Sequence, residues 1–281
     1  MTARIVAGAG RAPGDQSTWA AELAAAGEIA ERAGKLLLAR LDHTGTVAFK
    51  GVRDIVTEVD LASEALIRED LAARFPDDGF FGEESGREPI HAGRTWVCDP
   101  IDGTINYANG IPFFCVSLAL VVDGRPVAGV VHDPVRAETF AATVDGPATL
   151  DGRPVAVSAK ERLVDVVMAL AVGGRAPAAR TRRVRRAIRI PRQLGSAALS
   201  LAYVANGRFD AFAQTTGLSP WDVAAAGLIA ERAGAVVTDL AGGPWFDLSA
   251  ATRAMGVLAA PPAHHGRLLE LLREPDGQAR G

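Results

Sequence analysis

Thr95-Trp96-Val97-Cys98-Asp99-Pro100-Ile101-Asp102-Gly103-Thr104 is the stretch on which the fold is decided. The apolar run Thr95–Cys98 reads as a buried strand. It ends in a turn fixed by Pro100 and Gly103 and framed by Asp99 and Asp102. A strand that ends this way can aim two carboxylates into one cavity. Close carboxylates repel and raise each other's pKa, and a divalent cation resolves the conflict. The candidate ligands are all oxygen and no histidine is near, so Mg²⁺ fits better than Zn²⁺. Glu83 could add a third carboxylate, and Ile101 a backbone carbonyl. A helix beginning at Gly103-Thr104 would turn its free amides toward an anion, with phosphate the natural choice.

Two further acidic clusters sit at element junctions. Gly82-Glu83-Glu84-Ser85 follows a predicted strand, and Trp221-Asp222 opens a predicted helix. Taken singly, each reads as a turn or a cap. Taken together, they predict metal-assisted phosphoryl hydrolysis, in which metals activate water and stabilise the leaving oxygen. The chain has no Gly-x-Ser-x-Gly elbow and no phosphate-binding P-loop.

The surrounding pattern predicts a layered α/β (α+β) architecture. Leu23, Ala26, Ile29, Ala30, Ala33, Leu37 and Leu41 recur at helical spacing, after Ser17 or Thr18 as cap. A short strand is predicted at Val47–Lys50. A second helix is predicted from Leu61 to Phe75, stopped by Pro76, with Leu61, Ala65, Leu66 and Leu71 inward. Strands are predicted at Gly79–Gly82, Phe113–Val122, Pro126–His132, Thr139–Thr143 and Pro154–Val157. Asp123-Gly124 and Asp151-Gly152 are their hairpin turns. These strands make a largely antiparallel sheet packed by the two early helices. Strands and helices alternate after about residue 158: Val164–Leu170, a helix Ser196–Asn206, a helix Asp222–Ala233 capped by Asp222, strands Ala235–Thr238 and Met255–Ala259, and a helix Ala263–Arg273. Residues 1–16 and 276–281 read as tails. Residues 17–275 read as one domain with lobes of about 17–158 and 159–275.

The chain has 281 residues, 48% hydrophobic and 22% charged, which excludes an intrinsically disordered composition. A net charge of -3 offers no bulk attraction for nucleic acid or an anionic membrane. Cys98 and Cys115 are too few for a disulfide framework and read as buried apolar groups. No membrane-length apolar run and no secretory h-region is visible, so a cytoplasmic protein is expected.

In order and spacing, the acidic segments resemble the inositol monophosphatase family of lithium-sensitive, metal-dependent sugar phosphatases. Asp99-Pro100-Ile101-Asp102-Gly103-Thr104 with Asn106 resembles the first signature of that family. Trp221-Asp222-Val223-Ala224-Ala225-Ala226-Gly227 through Gly234 resembles the second. Gly82-Glu83-Glu84-Ser85, Asp54 to Asp60 and Gly195-Ser196-Ala197-Ala198 resemble three further motifs, and the likeness covers about residues 16–272.

The resemblance implies an αβαβα sandwich, commonly a homodimer, with two to three Mg²⁺ per active site. Glu83, Asp99 and the Ile101 carbonyl would hold one Mg²⁺. Asp99, Asp102 and Asp222 would hold a second, and a third would sit near Glu83. Asp60 and Thr104 would orient and activate the attacking water. The amides of Gly103 and Thr104 would hold the phosphate. Asp102, Gly195, Ser196, Ala197 and Asp222 would lie near the hydroxyls of the alcohol, and Gln214 stands where inositol-selective members carry a glutamate. It keeps an acceptor oxygen but not the charge-assisted bond. Residues 159–192 depart from the family pattern.

The small phosphorylated substrate expected is myo-inositol monophosphate. Fructose 1,6-bisphosphate, histidinol phosphate and 3′-phosphoadenosine phosphates are alternatives. A non-catalytic relative would have lost a ligand, Asp60 or Thr104, and none is missing. The arginine-rich stretch from Arg175 to Arg192 reads as a solvated helix face with Val184 and Ile188 inward, since no aromatics are interleaved for base stacking. Nucleic-acid binding is therefore not expected, although one of these arginines could reach the active site and bind a second phosphate. His264-His265 reads as a surface pair.

Overall fold

The computed structural model describes residues 18–41, 47–51, 54–87, 93–173 and 177–273. The proposed tails, 1–16 and 276–281, lie outside them, as does the candidate cap Ser17. Helix α1 (Ala20–Arg40) is followed by a hairpin, β1 (Val47–Gly51) and β2 (Asp54–Thr57), and by α2 (Glu58–Arg74). Next come β3 (Gly79–Gly82), β4 (Gly86–Arg87), β5 (Arg94–Asp102), α3 (Thr104–Ala108), β6 (Cys115–Val122), β7 (Arg125–Asp133), β8 (Glu138–Thr143), β9 (Thr149–Leu150) and β10 (Arg153–Pro154). The second half holds β11 (Val167–Ala171), α4 (Pro177–Ala187), β12 (Ile190–Arg192), α5 (Ala197–Ala202), β13 (Ala211–Leu218), α6 (Pro220–Arg232), β14 (Val236–Thr238), β15 (Met255–Ala260) and α7 (Pro262–Leu272).

Eight strands form one sheet in the order β10-β9-β8-β7-β6-β5-β3-β4, antiparallel except where β3 meets β5. Five form a second sheet, β12-β11-β13-β15-β14, parallel on the β12-β11-β13 side and antiparallel beyond. Side-chain alternation, with period 2 along each strand, sorts the core into three layers. Trp96, Cys98, Leu118 and Leu120 face α1 and α2, packing with Ile29, Ala33, Leu37 and Ile67. Val97, Ala119 and Val121 point the other way, onto α5 and α6. There they meet Ala169, Phe212, Val257 and Ala259 of the second sheet across Leu199, Val223 and Ile229. Met168, Leu170, Ala211, Ala213, Leu258 and Ala260 turn outward to Val184, Ile188, Leu268 and Leu272 of the α4–α7 layer. The result is an αβαβα sandwich. Contact between α6 and the first sheet is backbone-close, since a Cβ on Gly129 would lie 2.8 Å from Ala225 Cα.

Several predicted boundaries move, each for a local reason. Helix α2 starts at Glu58, because Thr57 and Asp60 form a capping box. Its buried face is Val59, Asp60, Ser63, Glu64, Ile67 and Leu71, so Leu61 and Ala65 are exposed rather than inward. Two carboxylates on that face hide it from a reading of apolar period. Helix α1 has no side-chain cap, and the Thr18 amide donates to Asp145 Oδ2 instead at 3.0 Å. Helix α6 is capped by Ser219 with Pro220 in its first turn, so Asp222 is the third helical residue and not the cap. Helix α5 stops at Ala202 because the chain tightens into three-residue turns, such as Val204 N to Leu201 O at 3.1 Å. A 3₁₀ turn at Leu163–Asp165 delays β11 to Val167. His264 and His265 are buried, not superficial. His264 Nε2 donates to Lys160 O at 2.7 Å, and His265 Nε2 pairs with Thr238 Oγ1 at 3.0 Å. No described helix is long and apolar enough to cross a membrane.

Candidate active site

Asp99 and Asp102 are three residues apart, so an unbroken strand would point them to opposite faces. It is broken by a bulge. Against β6, Asp99 pairs with Ser117 and Asp102 with Cys115, so β5 carries one residue more than its partner. The extra residue restores the two carboxylates to one side. Pro100 sits in the bulge, where its missing N–H costs no ladder bond. Ile101 N donates to Asp99 Oδ1 at 3.1 Å, while its side chain is fully buried beneath the first sheet.

Asp222 enters from the first turn of α6. Its Oδ2 accepts from Ser219 N at 2.5 Å, and Ser219 Oγ accepts from Arg253 N at 2.9 Å. Trp221 packs edge-on against Phe81 at 5.2 Å and its carbonyl accepts from Ser117 Oγ at 3.2 Å, which anchors α6 to the sheet that carries Asp99. Ligand atoms of Asp99, Asp102 and Asp222 lie within 4.8 Å of one another. Burial, then the charges of Glu83, Asp102 and Asp222, push the Asp99 carboxyl well above the usual range. Burial, then the Asp102 charge, does the same to Asp222. Asp102 is raised by burial against the pull of hydrogen bonds from Ser196, Ala197, Ala198 and Leu199. Three crowded carboxylates held together by their scaffold form a hard, anionic, all-oxygen donor set suited to a divalent cation.

Asp102 also ties β5 to the start of α5. Its Oδ2 accepts from Ser196 Oγ and from Ala198 N at 2.7 Å, and Ala197 N donates to Oδ1 at 3.2 Å. The loop Gly195-Ser196-Ala197 is thereby fixed beside the carboxylates. Asn106 holds it from the other side, donating from Nδ2 to Leu194 O at 2.6 Å and to Phe113 O at 2.7 Å. Gly195 has φ +85, and a Cβ there would meet Asn106 Oδ1 at 2.8 Å.

Two adjoining cavities open here. One of about 160 Å³ is lined by Glu83, Asp99, Ile101, Asp102, Gly103 and Thr104, together with Asp222 and Arg253. The other, about 270 Å³, shares Asp102, Gly195, Asp222 and Arg253 and adds Ser196, Ala197, Gln214 and Arg192. Every candidate site residue except Asp60 therefore lines one cavity or both. Asp60 is buried behind Thr104, whose Oγ1 lies 3.1 Å from Asp60 Oδ1 and 3.0 Å from Ile101 O. The other oxygen of Asp60 accepts from Thr57 N at 2.8 Å and Thr57 Oγ1 at 2.5 Å. Gln214 Nε2 donates to Thr216 O at 3.2 Å, where an irregularity in β13 takes up extra residues against β15.

Of the arginine-rich stretch, Val184 and Ile188 are buried as expected, and among its described arginines Arg192 lines the larger cavity. Three nearby residues escaped the sequence reading: Glu64, Ser63 and Arg253. Glu64 follows Asp60 by one helical turn, which is a usable signal once the face of α2 is known. Arg253, with φ +62, lies in a loop that no motif marks.

The description "Inositol monophosphatase family" matches residues 19–276. The chain is 40% identical over 235 residues to inositol monophosphatase 2 of Solanum lycopersicum, covering 79% of this chain and 88% of that one. It is 37% identical over 216 residues to a fructose-1,6-bisphosphatase/inositol-1-monophosphatase of Thermotoga maritima, covering 76% and 83%. Among solved structures, the extragenic suppressor protein suhB from Bartonella henselae superposes with a TM-score of 0.83 at 34% identity, covering 90% of this chain and 99% of that one. The chain belongs to the inositol monophosphatase family and is a phosphoric monoester hydrolase.

Proposed function

We propose that the protein is a Mg²⁺-dependent phosphomonoesterase acting on a small polyol phosphate, with myo-inositol monophosphate as the preferred substrate. The observation that carries this reading is the convergence of Asp99, Asp102 and Asp222 within 4.8 Å at the floor of a polar cavity. Glu83, Asp99 and the Ile101 carbonyl would hold one Mg²⁺, and Asp99, Asp102 and Asp222 a second; a third near Glu83 completes the set. Bound Mg²⁺ supplies positive charge that favours a water nucleophile near neutral pH and a departing alkoxide.

The protein's own groups do the rest. Asp60 accepts the Thr104 hydroxyl proton, which leaves Thr104 Oγ1 as an acceptor toward a water in the cavity. This orients the water and takes up its proton through Thr104 to Asp60. Gly103, with φ +100, turns the backbone so that its amide and that of Thr104 can receive phosphate oxygens. Ser196 and the Ala197 region, pinned by Asp102, present the alcohol-binding wall, and Gln214 lines the same cavity.

A second reading has its own observation. Arg192 and Arg253 both line the larger cavity, where they would suit a substrate with a second phosphate. The related Thermotoga protein carries both activities in its name. The test is phosphate release from inositol 1-phosphate, fructose 1,6-bisphosphate, histidinol phosphate and 3′-phosphoadenosine 5′-phosphate, with Mg²⁺ and with chelator. Preference for inositol 1-phosphate supports the first reading and preference for a bisphosphate the second. Release that ignores chelator contradicts both.

Inhibition by Li⁺, a cytoplasmic location and a homodimer complete the proposal. Unchanged turnover at high Li⁺, a secreted protein on cell fractionation, or a monomer mass by light scattering would each remove its own part.

A further inference from the structure

Helix α2 buries two carboxylates one turn apart, and the chemistry above uses only Asp60. Glu64 is the other, 4% exposed. Its Oε2 accepts from Glu84 N at 2.8 Å, and its Oε1 from Ser85 N at 2.7 Å. Those amides belong to the turn that follows β3, and the residue just before them is Glu83, a candidate metal ligand. On the other side of Glu83 stands Gly82. A Cβ there would lie 2.4 Å from Glu64 Oε2 and 2.5 Å from Glu64 Cδ. Gly82 is not among the residues with positive φ, so glycine is needed for space and not for backbone freedom. One carboxylate therefore presses on the residue before Glu83 and grips the two residues after it. Glu83 N is fixed in turn, donating to Cys98 O at 3.2 Å.

The same face of α2 also touches the acidic segment Asp99–Thr104. Ser63 Oγ donates to Pro100 O at 3.3 Å, inside the bulge between Asp99 and Asp102. Asp60 meets Thr104. Three contacts from one helix face thus fix the turn after β3 relative to the segment Asp99–Thr104. A buried carboxylate is costly unless its oxygens are hydrogen-bonded, and charged acceptors make the stronger bonds to backbone amides. Removing this charge frees two amides and releases the turn.

We propose that Glu64 is a positioning residue for Glu83, and that Gly82 is the space it requires. The metal affinity of the site then depends on a side chain that makes no contact with metal or substrate. This rests on the reading of the acidic cluster as a metal centre.

The test is Mn²⁺ binding, followed through the signal of free Mn²⁺ in electron paramagnetic resonance, together with the Mg²⁺ dependence of phosphate release. The proteins are wild type, Glu64→Gln, Glu64→Ala, Gly82→Ala and the Glu64→Ala/Gly82→Ala double variant, each checked for folding by thermal melting. Glutamine keeps the volume, but its NH₂ group must face one of the two donor amides. We expect Glu64→Gln, Glu64→Ala and Gly82→Ala each to weaken Mn²⁺ binding and raise half-saturating Mg²⁺ about tenfold or more, with kcat at saturating Mg²⁺ within about threefold of wild type. The double variant binds no more weakly than Glu64→Ala alone, since truncating Glu64 makes room for the new methyl group. Folded Glu64→Gln protein with wild-type Mn²⁺ affinity overturns the proposal, as does a double variant whose losses multiply. If Glu64→Ala does not fold, Glu64→Gln and Gly82→Ala decide. Wild-type protein that neither binds Mn²⁺ nor needs Mg²⁺ overturns the metal-centre reading itself, and that result is distinct from a defect confined to the variants.

Discussion

Thr104 Oγ1 and Asp60 Oδ1 lie 3.1 Å apart and join the first residue of α3 to the first turn of α2. Asp60 thereby has two duties, since its other oxygen caps its own helix. Asparagine can keep the cap but is a poor proton acceptor. Asp60→Asn should therefore lower kcat by about 10²- to 10⁴-fold and cost less than about 2 kcal/mol of stability. Thr104→Val should lower kcat in the same direction with Mn²⁺ affinity retained. Steady-state kinetics beside a melting curve checks both, and a variant with kcat near wild type would remove the dyad from the mechanism.

The crowded carboxylates predict a pH-dependent response to metal. In the metal-free protein, Asp99 and Asp222 hold their protons to higher pH than they do in the unfolded chain. Between the ordinary carboxylate pKa of about 4 and those raised values, the folded state binds more protons. Stability present at low pH is then lost as pH rises through that window. Metal needs the ionised ligands, so its binding strengthens over the same range. The gap in melting temperature between Mg²⁺-loaded and chelator-treated protein should widen from about pH 5 to pH 8. A gap that is constant or narrows contradicts the account.

Gly195 predicts a test of the loop proposed to meet the substrate. Alanine there would adopt φ +85 and crowd the Asn106 amide that holds Leu194 and Phe113. Gly195→Ala should cost about 1–3 kcal/mol and raise KM more than it lowers kcat. A KM unchanged in a folded variant would separate this loop from substrate binding.

Gln214 offers the reverse experiment, a gain. Its side chain lines the larger cavity beside Gly195 and Ser196. Gln214→Glu restores a charged acceptor for sugar hydroxyls and should lower KM for inositol 1-phosphate by up to about tenfold, leaving kcat nearly fixed. If KM rises instead, the cavity favours an anionic group at that position, as the reading with Arg192 and Arg253 requires.

Much of this architecture is legible in the amino-acid sequence, because the acidic segments coincide with breaks in apolar pattern. The apolar run before Asp99 is unmistakable as a strand, and Asp123-Gly124 and Asp151-Gly152 adopt the left-handed turns their side chains tolerate. The bulge that unites Asp99 with Asp102 is not legible, because one extra residue is visible only against the partner strand. The inner face of α2 is hidden for a different reason. Its buried positions include Asp60, Ser63 and Glu64, so apolar period selects Leu61 and Ala65 on the wrong side. His264 and His265 are concealed likewise, since their hydrogen-bond partners are Lys160 and Thr238, distant in sequence. Arg192 and Arg253 reach the cavity through tertiary placement alone.

The central claim is that Asp99, shared between the candidate metal positions, makes hydrolysis depend on a divalent cation. The direct measurement is phosphate release from inositol 1-phosphate by wild type and by Asp99→Asn, each titrated with Mg²⁺ and then with chelator, with folding confirmed by melting. The account predicts turnover by wild type that vanishes with chelator and returns with Mg²⁺, and a folded Asp99→Asn protein slower by more than about 100-fold. Wild-type turnover that survives chelation, or an Asp99→Asn variant that matches wild type at equal Mg²⁺, would contradict it.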